Sequence, residues 1–210
     1  MAFVRARTTQ WLLAWGALLF ALGIACWWSG ADLPLHRLLR LPGTSAPRIA
    51  QLTALGGIAV MGPLAIGALS LLFWLRRAGD ALWLLLTVAT GRLAVEGLKL
   101  VVTRPRPPQI DWLEIVKSWS FPSSHSAGTM MTCVALALLF GRGRGAIVAA
   151  LLAALIIGWT RVALAVHWLS DVLAGWGLGL LWLGLSLAIR DVVAPALDTS
   201  TARPSAAPPH

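Results

Sequence analysis

Three short segments of this 210-residue chain hold residues whose types and spacing suit phosphoryl chemistry. They are Lys99-Leu-Val-Val-Thr-Arg-Pro-Arg106-Pro107, Ser120-Phe-Pro-Ser123-Ser124-His125-Ser126, and Thr160-Arg161 followed by His167-Trp-Leu-Ser-Asp171. Lys99, Arg106 and Arg161 are cations in an otherwise apolar chain, where a charge near hydrocarbon is expensive. Cations that converge beside a hydroxyl and the backbone N–H groups of a helix start make an anion site, and a phosphoryl group suits it. His167 and Asp171 are four apart and share a face on a helical turn. A carboxylate there can bond one imidazole nitrogen, fix the tautomer and leave the other nitrogen free to attack. His125 supplies a second imidazole, placed to protonate a leaving oxygen. Each segment alone has a plainer reading. Arg-Pro-Arg-Pro can be a basic loop, Ser123 or Ser124 an ordinary helix cap, and His167–Asp171 a structural hydrogen bond. Their joint occurrence, in this order, argues against three separate plain readings.

The elements that must position these residues are apolar. Hydrophobic residues make up 58% of the chain and charged residues 12%, and the mean hydropathy is +0.78. A soluble domain of this length has a large polar surface and a different composition. A bilayer crossing takes roughly 20 mostly apolar residues, and the runs lie near 11–30, 49–75, 81–102, 126–140, 146–165 and 172–189. The expected fold is all-α, a polytopic membrane bundle of six transmembrane helices. Residues 1–10 are read as a cytoplasmic N-terminal segment, 11–189 as the membrane domain, and 190–210 as a disordered tail, for its Ala, Pro, Ser and Thr content. The fourth run is short, so its helix is expected to begin inside the Ser120–Ser126 segment. With six crossings, all three chemistry-bearing segments fall in the third and fifth loops or adjoining helix ends. Those loops share one side of the membrane whichever way the chain points.

The formal net charge is +9. The basic residues sit in short loops and not on a soluble, aromatic-studded face, so nucleic acid is not an expected partner. Attraction to lipid headgroups and topology signalling account for them. The chain has 12 Trp and no Tyr, and Trp27, Trp28, Trp112, Trp119 and Trp168 fall near expected helix ends, as interfacial Trp does. Cys26 and Cys133 lie inside apolar runs without metal-binding or redox spacing. The stretch after Arg5 and Arg7 is long for a signal peptide and shows no small-residue cleavage pattern, so it reads as the first crossing. With the N-terminus inside, the basic residues divide evenly between the two sides. The tight basic turns at Arg76-Arg77 and Gly141–Arg144 carry the most weight and favour that orientation, which puts the third and fifth loops outside.

Taken together, the segments resemble the signature of the type 2 phosphatidic acid phosphatase superfamily, which also holds vanadium haloperoxidases and glucose-6-phosphatase. That signature reads K-x6-R-P, P-S-G-H and S-R-x5-H-x3-D. Here it is met by Lys99 with Arg106-Pro107, by Pro122-Ser123-Ser124-His125, and by Thr160-Arg161 with His167 and Asp171. Ser124 replaces the usual Gly, and Thr160 replaces Ser but keeps the hydroxyl. The resemblance implies that His167 attacks phosphorus and forms a phosphohistidine, that Asp171 holds its ring, and that His125 protonates the leaving group. It implies that Lys99, Arg106, Arg161, the Ser123 hydroxyl and the Ser124 amide hold the equatorial oxygens. It implies no metal and no cofactor, and no Asp/Glu cluster suited to Mg²⁺ accompanies the motifs.

The expected partner is a lipid phosphate or diphosphate in the bilayer: undecaprenyl diphosphate and related isoprenoid diphosphates first, then phosphatidic acid or phosphatidylglycerophosphate. A lipid phosphotransferase using the same intermediate and an anion-binding transporter are the alternatives. Haloperoxidase chemistry is disfavoured because those relatives are soluble. Arg104 is read as a headgroup or loop contact. Arg92 is expected to pair with Glu96, or Glu96 with Lys99. Asp111 to Lys117 forms either a lid or a solvated loop, and Leu33 to Arg48 an interfacial segment.

Overall fold

The computed structural model describes residues 2–108, 110 and 112–201, with the side chains of 7–108, 110 and 112–191. Among these residues all regular structure is helical: α1 (Ala2–Trp28), α2 (Asp32–Leu39), α3 (Ala46–Ala54), α4 (Ile58–Trp74), α5 (Ala78–Val102), α6 (Ser124–Phe140), α7 (Arg144–Ala163) and α8 (Leu169–Thr201). A short 3-10 turn, Gly43–Ser45, leads into α3.

Among the described residues, five segments are long and apolar enough to cross a membrane: 7–28, 43–74, 78–102, 144–163 and 169–191. The sixth crossing is the shorter α6, 17 residues, which does begin within the second motif. The chain is therefore an integral membrane bundle. Trp11, Trp15, Leu22, Ile66, Phe73, Leu93 and Leu100 are exposed along its outside, as side chains facing lipid are. Inside, Leu72, Leu84, Met130, Val134, Ala154, Val162, Val172, Trp176 and Leu183 form the core. Helix α6 packs against both α7 and α8 and also meets α5, while α1 lies along α8. Small residues set that last contact: a Cβ on Gly177 would lie 2.4 Å from the Phe20 nitrogen. Close backbone approach of this kind replaces hydrophobic burial as the packing force between helices in lipid.

The crossings alternate in direction. Asp32, Thr53, the 103–123 connection and the 164–168 connection gather at one end, where Asp32 bonds Arg104 and Thr53 bonds Arg161. The turns after α4 and α6 lie at the other. There Arg77 donates to Asp80 at 2.6 Å and reaches the Leu139 carbonyl at 3.3 Å, and Arg190 also bonds Asp80.

Three elements differ from expectation. The second apolar run is not one helix but two, broken at Leu55-Gly56-Gly57. A Cβ on Gly56 would lie 2.2 Å from an Ile157 side-chain carbon, so the break itself packs closely on α7. Within the expected interfacial segment, α2 packs on α7 and α8 and buries His36; Asp32, beside the segment's start, is buried too. The final helix runs to Thr201, into the stretch expected to be disordered from Arg190; residues 202–210 of that stretch lie outside the described residues.

Candidate active site

Four helix ends build the site. Helix α5 stops where Thr103 takes a left-handed conformation (φ 47°) and its N–H bonds the Lys99 carbonyl. Pro105 and Pro107 then keep the chain extended. Lys99, in the last turn of α5, is 4% exposed. Its Nζ donates to Ser118 Oγ at 3.3 Å and lies 3.9 Å from Glu96. Arg106 is held over the site by the loop backbone: Nε donates to the Ser118 carbonyl at 2.7 Å and Nη1 to the Val166 carbonyl at 2.6 Å.

Ser123 caps α6: its Oγ accepts from the Ser126 N–H at 3.4 Å and lies 3.0 Å from Ser126 Oγ. Its own N–H donates to the Asp171 carbonyl at 3.0 Å, which ties the second motif to the third. Ser124 opens the helix and donates to Glu96 Oε1 at 2.8 Å. His125, one residue on, is half-buried. Its Nε2 faces Gly57, 3.4 Å from where a side chain there would begin, and it lies within the electrostatic reach of Arg161 and His167. Arg161, near the end of α7, is 1% exposed. It donates through Nη1 to Thr53 Oγ1 at 3.0 Å and to Glu114 Oε2 at 2.6 Å, and its Nε has no partner among the described residues. Thr160 turns away: its Oγ1 lies 2.6 Å from the Ile157 carbonyl and 2.8 Å from Thr53 Oγ1.

The third motif spans the α7–α8 turn, in which Ala165 is left-handed (φ 59°) and the His167 N–H bonds the Arg161 carbonyl at 3.2 Å. His167 is 2% exposed and Asp171 fully buried. Asp171 Oδ2 lies 3.3 Å from His167 Nδ1, accepts the Trp168 N–H at 2.9 Å, and takes the Ser120 hydroxyl in a short hydrogen bond. A carboxylate on that side assigns the proton to Nδ1 and leaves Nε2 unprotonated. Nε2 accepts a hydrogen bond from Arg106 Nη1 at 3.0 Å. Burial first, then the neighbouring Arg106, Arg161 and Lys99 charges, hold the His167 ring well below the usual histidine range. The imidazole is thus neutral, with its lone pair intact, at neutral pH. Burial also pushes the Arg106 guanidinium down to about 10, still charged at pH 7.

All eight residues expected at the site thus lie at one end of the bundle. The fit differs in one respect from a bare anion hole, because two carboxylates occupy the cations: Glu114 on Arg161, and Glu96 near Lys99. Glu96 is also 3.9 Å from Arg92, so both pairings expected of it occur. In the connection expected to be a lid or a solvated loop, Leu113 N–H bonds the Leu164 carbonyl and Trp112 Nε1 bonds the Pro107 carbonyl at 2.8 Å. Ile115 and Lys117 stay exposed, and Asp111 lies outside the described residues. Among the described residues, no three His, Cys, Asp or Glu side chains group in a metal-holding arrangement.

Arg104 requires a correction. It is not a headgroup contact but 5% exposed, and it donates to Asp171 Oδ1 at 2.5 Å and to Asp32 Oδ2 at 2.6 Å. Arg104 and Arg106 flank Pro105 and part there, Arg104 lying behind Asp171 while Arg106 reaches over His167. Asp32, Ser120, Ser170 and Thr53 also escaped the sequence reading. The one signal for Asp32 was its being the sole acidic residue before Asp80, in a stretch where a buried carboxylate needs a partner.

The family model of the PAP2 superfamily matches residues 80–193, a span that holds all three motifs. The fold is similar to the crystal structure of the first transmembrane PAP2 type phosphatidylglycerolphosphate phosphatase from Bacillus subtilis, at 27% identity and a TM-score of 0.70, covering 91% of this chain and 98% of that one. It is also similar to Aquifex aeolicus LpxE, at 27% identity and a TM-score of 0.62, covering 75% of this chain and 95% of that one. No curated protein matches the sequence.

Proposed function

Since the chain belongs to the PAP2 superfamily, we propose that it is a metal-independent membrane phosphatase acting on a lipid phosphate or diphosphate through a phosphohistidine at His167. The observation that carries this reading is the His167–Asp171 pair, 3.3 Å apart, with the free Nε2 turned toward Arg106. In the first step Nε2 attacks phosphorus in line, the bond to the leaving oxygen breaks, and His125 gives that oxygen its proton. The phosphoryl group is now on Nε2, and Nδ1–H stays on Asp171. In the second step His125 takes a proton from water, whose oxygen attacks phosphorus. The P–N bond breaks, its electron pair returns to Nε2, and inorganic phosphate leaves. Lys99, Arg106, Arg161, the Ser123 hydroxyl and the Ser124 amide bind the equatorial oxygens throughout. Substrate binding exchanges the Glu114–Arg161 contact for a phosphate–Arg161 contact.

A site at helix ends admits a headgroup whose tails stay in the bilayer, which favours a lipid. The similarity to a phosphatidylglycerolphosphate phosphatase keeps that class beside undecaprenyl diphosphate and phosphatidic acid. The purified protein, assayed with EDTA across a panel of these lipids, is expected to release inorganic phosphate from at least one. Transfer of the group to a lipid acceptor without phosphate release, or activity that EDTA abolishes and Mg²⁺ restores, would refute this reading.

The tight basic turns Arg76-Arg77 and Gly141–Arg144 favour a cytoplasmic far end, and this supports a site on the exterior, periplasmic face of a bacterial inner membrane. The structure selects the labelling positions. Ile110 is 94% exposed, and Arg142 is preferred to Gly143, whose φ of 86° disfavours a side chain. With Cys26 and Cys133 replaced by Ala, Ile110→Cys should react with a membrane-impermeant maleimide in cells whose outer membrane is permeabilised. Arg142→Cys should not. The opposite pattern puts the site in the cytoplasm and removes outer-leaflet substrates.

A further inference from the structure

Behind the catalytic carboxylate lies a buried charge cluster that the family's motifs do not include. Arg104 Nη1 donates to Asp171 Oδ1 at 2.5 Å and to Ser170 Oγ at 2.6 Å, and Nη2 donates to Asp32 Oδ2 at 2.6 Å. Asp32 closes the ring by accepting the Ser170 hydroxyl at 2.5 Å on Oδ2 and the Ser170 N–H at 3.1 Å on Oδ1. The Arg104 guanidinium carbon lies 4.3 Å from the Trp27 ring and 5.7 Å from the Trp168 ring, so aromatic faces exclude water on two sides. Asp32 belongs to α2, outside the 80–193 family match, and meets Arg104 across 72 positions of sequence.

The charges in this cluster have a consequence for the reaction. When Nε2 takes the phosphoryl group, the His167 ring acquires positive charge, and negative charge on its Nδ1 side stabilises it. Asp171 by itself would supply that charge, but Arg104 sits on Asp171 and cancels it. Asp32 adds a second carboxylate, so the trio of Asp32, Arg104 and Asp171 keeps one net negative charge. At the same time, Arg104 fixes Oδ1 and thereby aims Oδ2 at His167. Charges this deeply buried interact strongly and tolerate the loss of one partner poorly.

Resting on the phosphohistidine reading above, we infer that Asp32 and Arg104 are a positioning pair that aims Asp171 and sets the net charge behind the nucleophile. Neither touches substrate, so their effect falls on kcat and leaves KM alone.

The test measures kcat and KM for phosphate release from short-chain phosphatidic acid in detergent micelles. Arg104→Gln and Asp32→Asn are each expected to lower kcat about 100-fold, equal to about 2.7 kcal/mol of barrier, with KM changed less than about threefold. The double variant Asp32→Asn/Arg104→Gln leaves Asp171 with neither an unbalanced second carboxylate beside it nor a cation cancelling it, and is expected to be about tenfold more active than either single variant. A merely structural role shows instead in the melting temperature, with kcat of the folded single variants near that of the wild type. Should Arg104→Gln fail to fold, Arg104→Lys replaces it; that variant retains the charge and is expected to keep kcat within about tenfold of the wild type, above Asp32→Asn. A double variant no more active than the better single, Arg104→Gln with near wild-type kcat, or Arg104→Lys no better than Asp32→Asn overturns the inference. A wild type that releases no phosphate from any lipid phosphate overturns the phosphatase reading, and this inference with it.

Discussion

Replacing His167 with Ala is expected to lower phosphate release by about 10,000-fold or more, to the background of the assay. Among the described residues, no other side chain at this end of the bundle combines an unprotonated ring nitrogen with burial among three cations and a carboxylate behind it. His125 lies on α6 facing Gly57 and lacks the orienting carboxylate. The variant should remain folded and membrane-inserted, because Asp171 keeps the Ser120 hydroxyl, the Trp168 N–H and Arg104 after the ring is gone. Monodisperse elution in detergent together with lost activity would separate a chemical role from a structural one. Near wild-type turnover in this variant would remove His167 from the mechanism.

The second large effect belongs to Asp171→Asn, which keeps the shape of the side chain and removes its charge. A loss of about 1,000-fold to 10,000-fold in kcat is expected, by comparison with other carboxylate–histidine pairs. Two causes act together. The amide no longer stabilises the charged ring that forms on phosphorylation, and it no longer dictates which nitrogen carries the proton. The same change leaves the Arg104 guanidinium facing Asp32 alone, so the melting temperature should fall as well. KM should move little, since in the proposed mechanism Lys99, Arg106 and Arg161 hold the phosphate. A kcat loss below about threefold would make Asp171 a structural residue only.

The parts of this site that were legible in the sequence are those whose partners lie close along the chain. His167 and Asp171 are one helical turn apart, and Ser123 announces the start of α6 by helix capping, so spacing alone carries both. The six apolar runs were equally plain because each bilayer crossing has a required length. The rest depended on contacts between distant segments. Arg104 was misread because its Pro-rich neighbours mark a loop, while its burial comes from Trp27, Asp32 and Asp171, which no local pattern brings together. The break between α3 and α4 was hidden inside a continuous apolar run. Ile157 and Thr129 approach Gly56 closely there, a tertiary contact. Glu114 reads as one more loop charge until the fold lays Leu113 against Leu164 and brings the carboxylate onto Arg161.

The account rests most directly on a phosphoryl group bound to His167, and that species can be trapped. Purified protein is mixed with a lipid phosphate labelled in its phosphoryl group, quenched within the first turnover in alkaline detergent, and digested for peptide mapping. The label is expected on the peptide that contains His167, stable in alkali, lost in acid as a phosphoramidate is, and absent from His167→Ala. Label on a serine or aspartate side chain, or label that persists in His167→Ala, would contradict it.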